Sequence, residues 1–305
     1  MLMPKKSCGV WASPTAGAPL VCKLRSKVAG DVSQRSMSSN PLLDVLIGAA
    51  LEAGRAVRAI YRRGFVVGKK EDATPVTDAD HASEAIIVAQ LGRAAGSTPV
   101  VAEEAVAAGR VPALTAEFFL VDPLDGTREF VARRGEFTVN IALVRAGAPV
   151  LGVVYAPESG PHGLLYAGDV ASGLAIRAEP DENGRLSIRE PIRVRPAPSA
   201  GLTVVASRSH GTRETDAYLG RYAVRERVSI GSSLKFCLIA EGKADLYPRL
   251  GTTMEWDTAA GHAVLLAAGG SVVAPDGRPL RYGKPGFRNP WFIASGSLAP
   301  LPIAA

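Results

Sequence analysis

Cysteine is scarce: Cys8, Cys22 and Cys237 are the only three in 305 residues. They are too few and too scattered for a disulfide framework or a four-ligand zinc site, which fits a reducing compartment. Histidine is nearly as scarce, with four. His81, His162, His210 and His262 show no metal-ligand spacing, so they read as surface or helix residues. His210 closes the segment Ser-Arg-Ser-His (207–210), but a serine and a histidine side by side on one strand end make no catalytic triad. No run of eighteen uncharged apolar residues occurs; the richest stretch, 259–270, is short and carries His262 in its middle. No transmembrane helix is expected. A body of one charge sign is missing as well. The net charge is +6, but residues 1–40 hold Lys5, Lys6, Lys23, Arg25, Lys27 and Arg35 against Asp31 alone, so five of those six charges sit there. The other 265 residues are near neutral with mixed signs, which argues against a nucleic-acid polymer as partner.

What is present suits an ordinary globular chain: 47% hydrophobic residues over a length that supports one large domain or two tightly joined ones. Residues 1–40 are rich in Ser, Ala, Gly, Pro and Lys without apolar period. They read as a transit peptide, an expression leader or an upstream extension before a start at Met37, the last two fitting better. An ordered N-terminal half is expected over 41–198 and a C-terminal half over 199–305, with the Pro/Gly-rich stretch 179–198 as the excursion between them. Asn40 and Pro41 predict a helix start, with Leu43, Leu46, Ile47, Ala50, Val57 and Tyr61 as its apolar stripe and Gly64 as its stop. A second helix is expected over about 80–93, capped by Thr77 or Asp80. Residues 118–121 predict a buried strand ending abruptly at Asp122-Pro123, and 138–145 with 150–155 predict a hairpin. Later strands are expected at 202–206, 244–247 and 271–274, and helices at 232–241 and 257–268. Helices and sheets therefore alternate in layers.

The chemistry concentrates in Val-Asp-Pro-Leu-Asp-Gly-Thr (121–127), where a strand delivers Asp122 and Asp125 into a tight turn. Two ionised carboxylates so close raise one another's pKa unless a cation lies between them, which points to a hard divalent metal. An Asx turn closing a strand is the plainer alternative. Two further acidic elements accompany the segment. Glu103-Glu104 follows the apolar run 99–102, and Asp257 follows Trp256 at an expected helix start, where an N-cap role competes with a place beside a phosphate.

Glu103-Glu104, the Asp-Pro-x-Asp-Gly-Thr run at 122–127 and Trp256-Asp257-Thr-Ala-Ala-Gly261 stand in the order found in the inositol monophosphatase superfamily. The sequence resembles that family over about 41–296. Thr-Arg-Glu-Phe (127–130), Gly-Glu-Phe-Thr-Val-Asn (135–140), Ser-Arg-Ser-His (207–210) and Gly-Ser-Ser-Leu-Lys-Phe-Cys (231–237) are similar to its bacterial CysQ branch, which hydrolyses 3′-phosphoadenosine 5′-phosphate to AMP in sulfur metabolism. The resemblance implies an α/β fold, a layered αβαβα sandwich of the sugar-phosphatase type, and two or three Mg²⁺ as cofactors. It implies metal ligands Glu103, Asp122, Asp125, Asp257 and the Leu124 carbonyl. Glu103, Leu124, Asp125, Gly126, Thr127 and Asp257 then also meet the substrate, with the Gly126 and Thr127 amides gripping a phosphate. Asp80 would pair with Thr127 to orient water, whose proton leaves through Thr127 and Asp80 or Glu103 for in-line attack on phosphorus without a phosphoenzyme. Lys70 falls near a third-metal neighbourhood; Arg208, Lys235 and Arg249 are candidates for the second phosphate. Lithium sensitivity and a cytoplasmic place, in some members at the periphery of the inner membrane, are implied too. An inositol monophosphatase or broad sugar-phosphate phosphatase shares the metal site and is the alternative activity. Nothing in the sequence fixes the oligomeric state.

Overall fold

The computed structural model describes residues 40–69, 75–207 and 212–303. The expectations for residues 1–39, Lys70, Arg208 and His210 therefore lie outside the described residues. Helix α1 (Pro41–Arg63) begins where Asn40 accepts a hydrogen bond from the Leu42 amide and ends at Gly64, whose φ of 103° a side-chain-bearing residue resists. A hairpin of β1 (Val67–Lys69) and β2 (Pro75–Thr77) leads into α2 (Asp78–Ala95). This helix starts two residues ahead of the sequence expectation, because Thr77 caps it and Asp80 closes a capping box. Strand β3 (Val100–Ala102) then delivers a one-turn helix α3 (Glu103–Ala107).

The next strands build one seven-stranded sheet: β4 (Glu117–Asp125), followed after α4 (Thr127–Val131) by β5 (Thr138–Arg145), β6 (Ala148–Ala156), β7 (Leu164–Asp169), β8 (Leu174–Ala178) and β9 (Arg189–Pro191). Its order is β3-β4-β5-β6-β7-β8-β9, with only β3 and β4 parallel. The expected hairpin is β5-β6, and the excursion at 179–198 contributes β9 to the sheet edge.

Strand β10 (Leu202–Ser207), helix α5 (Arg213–Leu219), strand β11 (Val224–Ile230), helix α6 (Leu234–Ala240), strand β12 (Leu246–Arg249), helix α7 (Ala259–Ala267), strand β13 (Ser271–Val273) and strand β14 (Phe292–Ser295) complete the chain. They form a five-stranded sheet in the order β11-β10-β12-β14-β13. Three apolar clusters give the layers. Leu43, Leu46 and Ile87 of α1 and α2 pack on Phe119, Val121 and Ile141 of the large sheet. Phe118, Leu120 and Val154 on its other face pack on α6 and α7, whose far side meets Tyr247 and Phe292 of the second sheet. Tyr218 and Leu219 of α5 cover Leu246 and Ile293 from outside. The architecture is αβαβα, and strand alternation in β4 splits its apolar residues between two cores.

Two corrections concern the site. Strand β4 does not stop at Asp122. It runs on to Asp125 with a register shift, Asp122 facing Asn140 and Asp125 facing Thr138. Three steps on β4 match two on β5, so the strand carries one extra residue, and Pro123 sits in the broken part of the ladder where its missing N–H costs nothing. Helix α7, expected from Asp257, begins at Ala259 with Thr258 as its N-cap. Asp257 belongs to the turn before it. That turn is brought close to the large sheet by a glycine pair, Gly152 on β6 beside Gly168 on β7. A Cβ on Gly168 would lie 2.7 Å from Val264 Cα, and one on Gly152 would lie 2.7 Å from Ala263 Cβ. Backbone contact between α7 and the sheet therefore requires both to lack a side chain.

Candidate active site

The extra residue in β4 decides which way its two carboxylates point. In an unbroken strand, side chains three apart face opposite ways. Thr138 and Asn140, two apart on β5, share a face, so their partners Asp125 and Asp122 do too. This is the face toward α7, since Phe118 and Leu120 pack there while Phe119, Val121 and Leu124 pack on the opposite core. Leu124 is thus anchored by its side chain, and its carbonyl accepts from the Thr127 hydroxyl at 3.1 Å. Gly126 takes φ +94°, and a Cβ there would meet the Glu136 carbonyl at 3.0 Å, so the turn into α4 admits only glycine without strain.

A cavity of about 490 Å³ opens over this turn, lined by Glu103, Asp125, Gly126, Thr127, Lys235, Arg249 and Asp257 among others. Asp122 lies behind the wall, 2% exposed. Its Oδ1 accepts from the Leu124 amide at 3.0 Å, so the Asx contact is real and coexists with the acidic crowd. Asp257 Oδ2 accepts from the Met254 amide at 2.8 Å and caps nothing. Glu104 is buried off the cavity, its amide donating to Glu84 Oε2 at 2.7 Å, while Glu103 lines it.

The acids resist ionisation together. Burial, then the charges of Glu103, Asp125 and Asp257, push Asp122 well above the usual carboxylate range. Burial and then Asp125 and Glu103 do the same to Asp257. Asp125 is raised by burial against the opposing Lys235 charge and hydrogen bonds from Asn140 and Ser233. Lys235, 7% exposed, is itself lowered to about 8, chiefly by burial. Among the described residues no three acidic or imidazole groups already converge as a finished cage. Glu103, Asp122, Asp125 and Asp257 set against Lys235 and Arg249 nevertheless leave excess negative charge at this cavity, and all-oxygen donors suit a hard divalent cation. Beside them Thr127 Oγ1 stands 3.2 Å from Asp80 Oδ1, and Asp80 spends its other oxygen on the Thr77 amide at 2.7 Å. One carboxylate thus caps α2 and faces the cavity threonine.

The sequence profile of the inositol monophosphatase family matches residues 38–297. The chain belongs to that family. Among similar members is the 3′(2′),5′-bisphosphate nucleotidase CysQ of Escherichia coli K12, 44% identical over 257 residues, covering 83% of this chain and 99% of the relative. The crystal structure of CysQ from Bacteroides thetaiotaomicron superposes with a TM-score of 0.70 at 39% identity, covering 86% of this chain and 99% of that one. An inositol monophosphatase from Anabaena sp. PCC 7120 reaches 0.65 at 27% identity, over 84% and 91%.

Two further residues of the site, Asn140 and Ser233, stand in the runs 135–140 and 231–237 that carry the resemblance, but the sequence assigned them no role. Asn140, fully buried in β5, donates to Asp125 Oδ2 at 3.3 Å and to Ser233 Oγ at 3.1 Å, and Ser233 Oγ donates to the Asp257 carbonyl at 2.7 Å. This bridge ties Asp125 of the large sheet to the backbone of the turn that carries Asp257. A further hint was an amide side chain inside the apolar run Thr-Val-Asn-Ile-Ala-Leu-Val. Arg249, raised as a substrate candidate, lines the cavity with its guanidinium donating to the Thr252 carbonyl at 3.0 Å.

Proposed function

We infer that this chain is a 3′(2′),5′-bisphosphate nucleotidase, a phosphoric monoester hydrolase that takes the 3′-phosphate from 3′-phosphoadenosine 5′-phosphate and leaves AMP. The observation that carries this reading is the gathering of Glu103, Asp125 and Asp257 on one cavity wall, with Asp122 buried behind it and buried Lys235 and Arg249 on the same cavity. An acid cluster that suits divalent cations, with Lys235 and Arg249 on the same cavity, suits a substrate with two phosphates.

In this reading the half spanning 41–198 supplies Glu103, Asp122, Asp125 and the Leu124 carbonyl to two or three Mg²⁺, and the half spanning 199–305 supplies Asp257. When bound, the Mg²⁺ ions neutralise phosphate charge and acidify water. Thr127 has one hydroxyl proton and two acceptors within reach, Asp80 Oδ1 and the Leu124 carbonyl. Donation to Asp80 leaves its lone pairs free to receive a proton from water, and Glu103 is the alternative acceptor across the cavity. The Gly126 and Thr127 amides hold the transferring phosphate. Lys235 and Arg249, with Arg208, receive the second one.

Phosphate release from 3′-phosphoadenosine 5′-phosphate and from inositol 1-phosphate, each with and without Mg²⁺, tests the reading. A Mg²⁺-dependent kcat/KM strongly favouring the nucleotide is expected. A preference for inositol 1-phosphate would move the activity to inositol monophosphatase on the same site, and no release from either would remove the catalytic reading.

A further inference from the structure

The wall of the cavity that carries Asp257, residues 252–258, is not held by its own helix alone. Segment 282–289 lies alongside it and engages it at both ends. Glu255 is fully buried, yet its carboxylate is satisfied: Oε2 accepts the Gly283 amide at 2.7 Å, and Oε1 accepts the Lys284 amide at 2.9 Å and Lys284 Nζ at 2.6 Å. The Glu255 amide returns a bond to the Phe287 carbonyl at 2.8 Å. Asn289, 7% exposed, donates its side-chain amide to the Met254 carbonyl at 2.7 Å and to Thr258 Oγ1 at 3.0 Å, while its backbone amide meets the Thr253 carbonyl at 3.0 Å. Lys284 Nζ also reaches Asn289 Oδ1 at 3.3 Å, closing the two ends into one network. Met254 is the link to the site, because the residue whose carbonyl Asn289 holds gives its own amide to Asp257 Oδ2.

We propose that Glu255, Lys284 and Asn289 are positioning residues that fix the Asp257 carboxylate for metal binding from behind the site, without touching metal or substrate. A buried carboxylate saturated by two amides and an ammonium is rigid, and outer-shell partners of this kind are typically worth 10- to 100-fold in metal affinity. The proposal rests on the reading of Asp257 as a metal ligand.

The test is isothermal titration of Mg²⁺ into the full chain without substrate, with thermal melting and the Mg²⁺ dependence of turnover measured alongside. Asn289→Ala should weaken Mg²⁺ binding about tenfold and raise the Mg²⁺ needed for half-maximal turnover equally, with kcat at saturating Mg²⁺ within about threefold of wild type. Lys284→Met, at a side chain 29% exposed, keeps the fold measurable should Asn289→Ala fail to fold, and should weaken Mg²⁺ binding severalfold. Variants that fold and bind Mg²⁺ as tightly as wild type would overturn the proposal, as would lowered melting temperatures with unchanged Mg²⁺ titration. A wild-type chain that binds no Mg²⁺ would instead overturn the proposed function itself.

Discussion

Asp122→Asn separates what the acid cluster does for catalysis from what it does to stability, and the two effects should have opposite signs. Asp122 is buried and its folded pKa is raised by burial and by three neighbouring carboxylates. An acid raised in the folded state costs stability once ionised; that cost is full above the raised value and is relieved as pH falls from there to the ordinary carboxylate range. Asparagine retains the oxygen that accepts the Leu124 amide at 3.0 Å, so the turn keeps its contact. What disappears is charge repulsion. Unit charges about 6 Å apart at an effective dielectric near 20 repel by about 3 kcal/mol, and water in the cavity and Lys235 screen much of that. A net gain of about 1–3 kcal/mol, or roughly 3–10 °C in melting temperature, is expected for the metal-free variant. Melting should be followed by circular dichroism at pH 7 in chelator and then in Mg²⁺. Wild type should rise on adding Mg²⁺, while Asp122→Asn should gain less and show phosphate release at least a thousandfold lower, on the order expected when a metal ligand is lost. A variant that melts at or below the metal-free wild type, or that keeps its activity, would refute the argument.

Three other outcomes follow from the same geometry. Thr127→Ala should lower kcat by about 10²-fold or more while Thr127→Ser, which keeps the hydroxyl facing Asp80 Oδ1, should retain most activity in the same phosphate-release assay. Gly168→Ala places a methyl 2.7 Å from the Val264 Cα, which is backbone and must move; a loss of about 1–3 kcal/mol in denaturant unfolding is expected, with weakened Mg²⁺ binding because α7 follows Asp257 closely. His262 is lowered from 6.5 to about 3 by burial, its Nδ1 facing the Tyr282 hydroxyl at 2.9 Å with Thr258 and Glu255 beyond. The unfolded chain binds that proton first, so its contribution to stability is complete above about pH 6.5 and is lost as pH falls toward 3; His262→Gln should flatten melting temperature against pH across that window.

The pieces of the site were legible in the sequence because each is local. A helix opened by Asn40-Pro41 and stopped by Gly64 follows from caps and an apolar stripe, and the structure agrees to the residue. The acid pair after β3, the Asp-Pro-Leu-Asp-Gly-Thr run and Trp256-Asp257 stand out by composition and order alone. The parity of β4 does not. That strand bulges because Asp122 must pair with Asn140 and Asp125 with Thr138, a register set by β5 and not by β4 itself. Strand β11 was missed for a related reason: Arg225, Glu226 and Arg227 stand together on an exposed edge, Glu226 breaks the alternation of Val224, Val228 and Ile230, and the strand is completed by its pairing with β10. Likewise Asn289 and Glu255 look like surface residues in the chain and become buried donors and acceptors only when segment 282–289 lies against 253–258. Sequence by itself determined which groups would carry charge and which segments would be helical, since propensity, capping and side-chain chemistry act within a few residues. Tertiary structure alone decided that Asp122 and Asp125 share a face and that Asp257 comes to meet them, because strand register and the approach of α7 to Gly152 and Gly168 depend on neighbours far away in the chain.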